Sequence, residues 1–153
     1  MTSAAPEIRP LTAADVAAAA RLDRLCFARG IAFPRATIAR FLRHPGFFGW
    51  GAHRGTRLIA LVIAVVHRHS TAAAEAEIVT LDVHPSWRRR GLGRELLRLA
   101  GAGAAARGVC RVRLHVATDN GTALALYRSE GYRVTALAPD YYGPGRNALA
   151  MRR

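Results

Sequence analysis

A chain of 153 residues, 51% hydrophobic and 22% charged, is long enough for one domain burying about two-thirds of its unfolded surface, which excludes a disordered or fibrous polypeptide. Its longest apolar run, Leu58 to Val66, is too short to span a bilayer, and no N-terminal apolar segment resembles a secretion signal, so a cytoplasmic protein with no membrane partner is expected. The formal net charge is +13 and all 23 Lys/Arg positions are arginine, a field that attracts polyanions but accompanies no zinc finger, helix-turn-helix or aromatic RNA-binding signature.

Glu7 to Pro10 reads as a short first strand. Thr12 is set to cap a helix, with Asp15 three residues on forming a near capping box. Val16, Ala19, Leu22 and Cys26 give that helix an inward face. Phe27 to Pro34 is a loop containing Gly30, and a second helix starts at Pro34 or Arg35. It carries Ile38, Phe41 and Leu42 and ends before His44-Pro45. Phe48 to His53 and Leu58 to His67 flank Arg54-Gly55-Thr56, a hairpin signal. After a polar, alanine-rich turn, Glu75 to Val83 returns as the third strand of a meander. Leu92, Leu96 and Leu99 mark an amphipathic helix running to about Arg107. Val109 to Ala117 is strand-like, and Asp119 or Asn120 caps a helix through Glu130 that Gly131 closes as a left-handed stop. Tyr132 to Leu137 and Ala148 to Arg152 are the last strands, around a loop from Ala138 to Asn147.

The order β-α-α-β-β-β-α-β-α-β-β predicts an α/β (mixed α+β) fold, with a mixed central sheet covered by helices on both faces, in a single domain over residues 1–153. Cys26 and Cys110 sit in apolar contexts without metal-ligand neighbours. Both are expected as reduced core thiols, and no metal is implied.

The most informative stretch is Val83-His84-Pro85-Ser86-Trp87-Arg88-Arg89-Arg90-Gly91-Leu92-Gly93-Arg94, joining a β-branched strand to the central helix. The first N–H groups of a helix have no partner within it, and the helix dipole is positive there, so this turn favours an anion such as a pyrophosphate. No Gly-Lys-Ser/Thr follows the turn, which excludes a Walker-type loop. Position 96 is leucine, so the third glycine of the dinucleotide fingerprint is missing.

Arg88-x-x-Gly91-x-Gly93 after a strand ending in Val-x-Pro resembles the acetyl-CoA motif of the GCN5-related N-acetyltransferases. The chain's element order resembles that fold from end to end. The resemblance implies that the amides of Arg88, Arg89, Arg90, Gly91, Leu92, Gly93 and Arg94 hold the CoA pyrophosphate. The backbone of Leu81 and Val83 would bond the pantetheine arm. It extends to Asn120-x-x-Ala123-x-x-Leu126-Tyr127, where Asn120 and Ala123 would touch the pantetheine. Tyr127, two helical turns beyond Asn120 on the same face, would lie near the sulfur as general acid.

Two side chains compete as the base. Glu77, eleven residues before Arg88, matches the base glutamate of the histone lysine acetyltransferases. His115, in Leu114-His115-Val116, resembles the catalytic histidine of some eukaryotic N-terminal acetyltransferases, where bacterial ribosomal-protein acetyltransferases usually carry glutamate. An α-amine has a pKa near ~8, so a histidine near ~6.5 suffices to deprotonate it. Glu77 as the arginine partner of a strand edge, and His115 as a hydrogen-bonded strand residue, are the structural alternatives.

Tyr141-Tyr142, followed by Ala148-x-x-Met151, resembles the tyrosine pair with which N-terminal acetyltransferases hold a substrate's first residues. With Phe27, Phe33 and Pro34 it would form a slot that admits a chain end. The implied activity is direct acetyl transfer in a ternary complex, without a covalent enzyme intermediate, from acetyl-CoA as cosubstrate to a peptide or protein N-terminal amine. The resemblance is to the ribosomal-protein N-terminal acetyltransferase subgroup. Acetylation of a small amine or lysine, or a non-catalytic CoA- or nucleic-acid-binding role, are the alternatives, and a monomer or homodimer is expected.

Overall fold

The computed structural model describes residues 4–153. Its strands are β1 (Glu7–Pro10), β2 (Phe47–Arg54), β3 (Arg57–His67), β4 (Glu75–Val83), β5 (Arg111–Ala117), β6 (Arg133–Ala138) and β7 (Ala148–Arg152). The helices are α1 (Val16–Cys26), α2 (Arg35–Arg43), α3 (Leu92–Ala106) and α4 (Gly121–Ser129), with single 3-10 turns at Ala13–Asp15 and Pro85–Trp87. The α/β fold and the element order are as the sequence predicts.

The strands form one sheet in the order β1-β2-β3-β4-β5-β7-β6. Only β4 and β5 run parallel; the other neighbours are antiparallel. β3 lies inside this sheet and is apolar on both faces. Val62, Ala64 and Val66 join one core, with Leu96, Leu97 and Ala100 of α3 and Leu124 of α4. Leu61 and Ile63 join a second, with Leu22 of α1 and Ile38 and Leu42 of α2. Thus α1 and α2 cover one face and α3 and α4 the other. Gly103 lets α3 settle on the sheet, since a Cβ there would lie 2.7 Å from the Trp50 ring.

Local chemistry sets the boundaries. The Thr12 hydroxyl accepts from the Ala14 N–H while the Asp15 carboxylate accepts from the Thr12 N–H, completing the capping box. Asn120, not Asp119, caps α4 through the Ala123 N–H. Gly131, at φ +90°, turns the chain out of it.

One expectation fails. Gly108, at φ +74°, turns the chain so that Val109 is buried, and β5 begins only at Arg111. Cys110 is therefore exposed rather than a core residue, while Cys26 is half-buried; both are free thiols.

Two features of β4 prepare the site. Ile63 pairs with Thr80 but Ala64 pairs with Ile78, so Val79 is bulged out of register. Pairing with β5 runs only from Glu75↔Arg111 to Ile78↔Leu114. Beyond that point the strands part, and the second half of β4 has no neighbour on that side.

Candidate active site

The gap between β4 and β5 opens towards the turn that starts α3. The His84 N–H donates to Ile59 O on β3. Backbone groups alternate sides along a strand, so those of Asp82 also face β3, whereas those of Leu81 and Val83 face the gap. The Val83 carbonyl already accepts from Arg88 Nε at 3.1 Å and from the Cys26 thiol at 3.3 Å.

At the turn itself Gly91 has φ +82° and caps α3 in the left-handed conformation. Arg89 shares that conformation at φ +62°. Left-handed residues re-aim the N–H groups beside them, and here they stand next to the free amides of the first turn of α3. Nothing lies within 4 Å of where a Gly91 Cβ would be, whereas Gly93 packs ordinarily against Leu126 and Val83. Arg90 stacks over the Trp87 ring at 4.5 Å, with Arg54 over the same ring at 5.4 Å. Arg94 is engaged elsewhere: it pairs with Glu130 at 3.0 Å and donates to the Ser129 hydroxyl, clamping α3 to α4.

Asn120 and Tyr127 bound the gap from α4. Ala123 is half-buried between them. The Tyr127 ring packs edge-on against Tyr132, with centroids 5.9 Å apart, inside the α3-side core. Burial, and then the carboxyl of Asp82 and the ring of Tyr142, raise its pKa far above the ordinary phenol value. Asp82 meets Thr80 and Asp23 on the α1 side of the sheet, so the charge of a group from that side reaches the phenol, which is protonated throughout the physiological range.

Across the gap, on the face of α1 and α2, Glu77 and His115 come together. Glu77 is the register partner of Arg113, and His115 is two residues further along β5 on the same face. Glu77 pairs with Arg113 Nη2 at 3.5 Å and with His67 Nε2 at 3.6 Å. Arg113 also reaches Glu75, which in turn holds Arg152. His115 stacks flat on Tyr141, with centroids 4.3 Å apart and planes at 11°. Burial lowers the His115 pKa below the ordinary imidazole value; Glu77 pulls it back up, and Arg113 adds to the lowering. Tyr141 meets Tyr142 edge-on at 4.8 Å, and burial pushes the Tyr142 hydroxyl up to about 12.

Phe27, Phe33 and Pro34 line a groove with Arg24, Arg29, Gly30 and Ala32. The Phe33 ring is braced edge-on by Phe41 at 5.2 Å. Its N–H donates to Asp23 Oδ2 at 2.7 Å.

Sequence reasoning passed over Arg146. Its guanidinium donates to Arg29 O at 2.6 Å, and its own carbonyl accepts from the Tyr142 N–H. It therefore joins the tyrosine loop to the groove. It also missed Asp82 of β4 and Asp23 of α1, both buried carboxyls. The signal was available for Asp82: an acid inside Ile78-Val79-Thr80-Leu81-Asp82-Val83 demands a partner. Among the described residues no group of three or more His, Cys, Asp or Glu side chains is arranged to hold a metal ion. Nor is any helix there long and apolar enough to cross a membrane.

Comparison with known proteins agrees with this geometry. The family model described as "Acetyltransferase (GNAT) family" matches residues 16–132. The N-alpha-acetyltransferase RimI of Mycobacterium tuberculosis is 37% identical over 147 residues, covering 95% of this chain and 90% of that protein. An uncharacterized protein of Mycobacterium leprae is 37% identical over 151 residues, and this chain spans 40% of its length. The crystal structure of the ribosomal-protein-S18-alanine N-acetyltransferase from Escherichia coli superposes with a TM-score of 0.80 at 25% identity, over 96% of this chain and 92% of that one. The motif in the turn before α3, the parted β4 and β5 and the matching family model together establish that the chain belongs to the GNAT family of acetyltransferases.

Proposed function

We propose that this protein transfers the acetyl group of acetyl-CoA directly to the α-amine of a protein or peptide N terminus. The observation that carries the reading is the His115–Tyr141–Tyr142 stack beside Glu77, at the parted end of β4 and β5, in a loop that Arg146 ties to the Phe27–Pro34 loop. The similarity to proteins named as N-terminal acetyltransferases supports the same class of acceptor.

The residues at the turn suit CoA. The amides around Arg89, Gly91 and the first turn of α3 suit its pyrophosphate, with open space over Gly91 for the approach. The free backbone edge at Leu81 and Val83 suits the pantetheine, with Asn120 and Ala123 opposite. Acetyl-CoA supplies the activated acetyl thioester. His115, neutral at physiological pH because burial lowers its pKa, takes the proton from the attacking amine. The amine nitrogen forms the amide bond as the carbon–sulfur bond breaks, and Tyr127 gives its proton to the departing sulfur. Water returns the proton from His115 to Tyr127, so the net transfer is from amine to thiol.

His115 is preferred over Glu77 as the base because Glu77 is committed to Arg113. Glu77 instead tunes His115 electrostatically. Tyr141 and Tyr142 hold the first residues of the substrate, and Phe27, Phe33 and Pro34 wall the slot against internal lysines.

The test is thiol release from acetyl-CoA with short peptides bearing free N termini, against N-blocked peptides containing lysine, polyamines and aminoglycosides. Turnover confined to free N termini is expected. Turnover only on lysine or small amines would overturn the acceptor reading.

A further inference from the structure

We propose that Asp82 and Asp23 share a single proton, and that this protonated carboxyl pair positions the loop that receives the acceptor. Asp23 and Asp82 are buried, at 0% and 1% exposure. The Thr80 hydroxyl lies 2.5 Å from Asp82 Oδ1 and 3.4 Å from Asp23 Oδ1. One hydroxyl proton serves one of these oxygens. Asp82 Oδ2 is also buried, with no conventional donor among the described residues. The carboxyl of Asp23 meets the same Thr80 hydroxyl as that of Asp82, and two ionised carboxylates cannot share such a buried site. A proton on Asp82 Oδ2, donated towards Asp23, gives the one orphaned oxygen of the pair a partner.

The charges around the pair do not offer an alternative. From β4 the pair faces Thr80, and from β3 the apolar Leu61, cross-strand partner of Asp82. From α1 it faces Cys26, whose thiol is pushed up to about 11 by burial and by both carboxyls, and so is neutral. From α4 it faces the neutral hydroxyl of Tyr127. Arg24 is exposed, Arg88 is spent on the Val83 carbonyl, and neither makes an ion pair with the two aspartates. Burial and mutual repulsion then hold the pair's proton well above the ordinary carboxylate range.

The assignment within the pair follows from the loop. Asp23 Oδ2 accepts the Phe33 N–H at 2.7 Å, a short bond of the charge-assisted kind. With Asp82 Oδ2 the oxygen that has no donor, the proton is placed on Asp82 and the charge on Asp23. Asp82 lies on the strand whose free edge suits the pantetheine, and Asp23 holds the loop whose Phe33 lines the acceptor groove. The pair thus ties the cosubstrate strand to the acceptor loop. Loss of its proton at alkaline pH drives Asp23 away from Asp82 and releases Phe33. Asp82 and Asp23 are positioning residues that touch neither reacting atom. Their link to acceptor binding rests on the proposed use of the Phe27–Pro34 loop.

The experiment has two readouts. In the free protein, aspartate carboxyl carbons are followed by NMR from about pH 4 to about pH 10, with the Phe33 amide as reporter of the loop. One aspartate pair is expected to titrate well above ~4, the ordinary aspartate value, and the Phe33 amide to move with the same midpoint. In turnover, the acceptor KM is expected to rise by up to about tenfold per pH unit beyond that midpoint, with the acetyl-CoA KM unmoved. Asp82→Asn replaces the shared proton by an amide donor, so its KM profile is expected to be flat and its kcat close to the original. Aspartates that all titrate in the ordinary range, or an Asp82→Asn profile with the same alkaline rise, would overturn the proposal. The wild-type titration decides even if the variant does not fold. A raised pair in a protein that turns over no peptide would retain the shared proton and remove the acceptor reading instead.

Discussion

Replacing Tyr127 by phenylalanine isolates one oxygen atom at the centre of the proposed chemistry. The ring is 7% exposed and packs edge-on against Tyr132, so phenylalanine keeps the apolar contacts and the change in stability is expected within about 1 kcal/mol. A positioned general acid contributes about 10²- to 10⁴-fold. A thiol with a pKa near ~8.5 needs less help to leave than an alkoxide or amine, which puts the expected loss at the lower end. The kcat of Tyr127→Phe should fall about 100-fold, equivalent to about 2.7 kcal/mol of barrier. CoA affinity by calorimetry should stay within about threefold, since the role proposed for Tyr127 is on the leaving group and not in ground-state binding. Because the phenol pKa is raised far beyond its ordinary value, the wild-type enzyme should show no alkaline loss of rate from this group below about pH 10. Thiol release by a kcat within about threefold of wild type would refute the acid role of Tyr127.

Other perturbations read the remaining parts. The kcat/KM profile should carry an acid limb with its midpoint below ~6.5, because burial lowers His115; His115→Ala should lower kcat by about 100-fold and remove the limb. Glu77 raises His115, so Glu77→Gln should move that limb to still lower pH; an unmoved limb would mean that the two do not communicate. Gly91→Ala forces a Cβ into φ +82°, at a cost of about 1–2 kcal/mol of backbone strain, and should raise the acetyl-CoA KM while leaving acceptor KM unchanged. Arg146→Ala removes the bond to Arg29 O and should raise acceptor KM by about five- to tenfold, a bond's worth of loop order, with CoA affinity intact.

What the sequence discloses is what neighbouring residues decide. Thr12 with Asp15, Asn120 with Ala123, and the left-handed Gly91 and Gly131 are local choices whose chemistry is complete within a few residues. The faces of β4 and β5 are equally legible, because strand alternation brings Glu77 and His115 to one side once the two strands are neighbours. Arg146 was not legible: its partner, Arg29 O, lies 117 residues away, and nothing in either loop announces the other. The Asp23–Thr80–Asp82 cluster spans 57 residues between α1 and β4. Its warning sign, an acid in an apolar strand, shows that a partner exists and not which one it is. Cys110 was misread because its apolar neighbours belong to a turn, where Gly108 sends Val109 inward and the thiol outward. The Arg94 side chain was not legible either: its partner Glu130 lies beyond the end of α4, while the motif speaks only for its backbone amide.

The acceptor claim is tested most directly by one peptide that carries both a free α-amine and an internal lysine, incubated with the enzyme and acetyl-CoA and sequenced by tandem mass spectrometry. The slot proposed between Tyr141, Tyr142, Phe27, Phe33 and Pro34 predicts a single acetyl group, on the first residue, with the lysine unmodified. An acetyl group on the lysine, with the N terminus free, would contradict it.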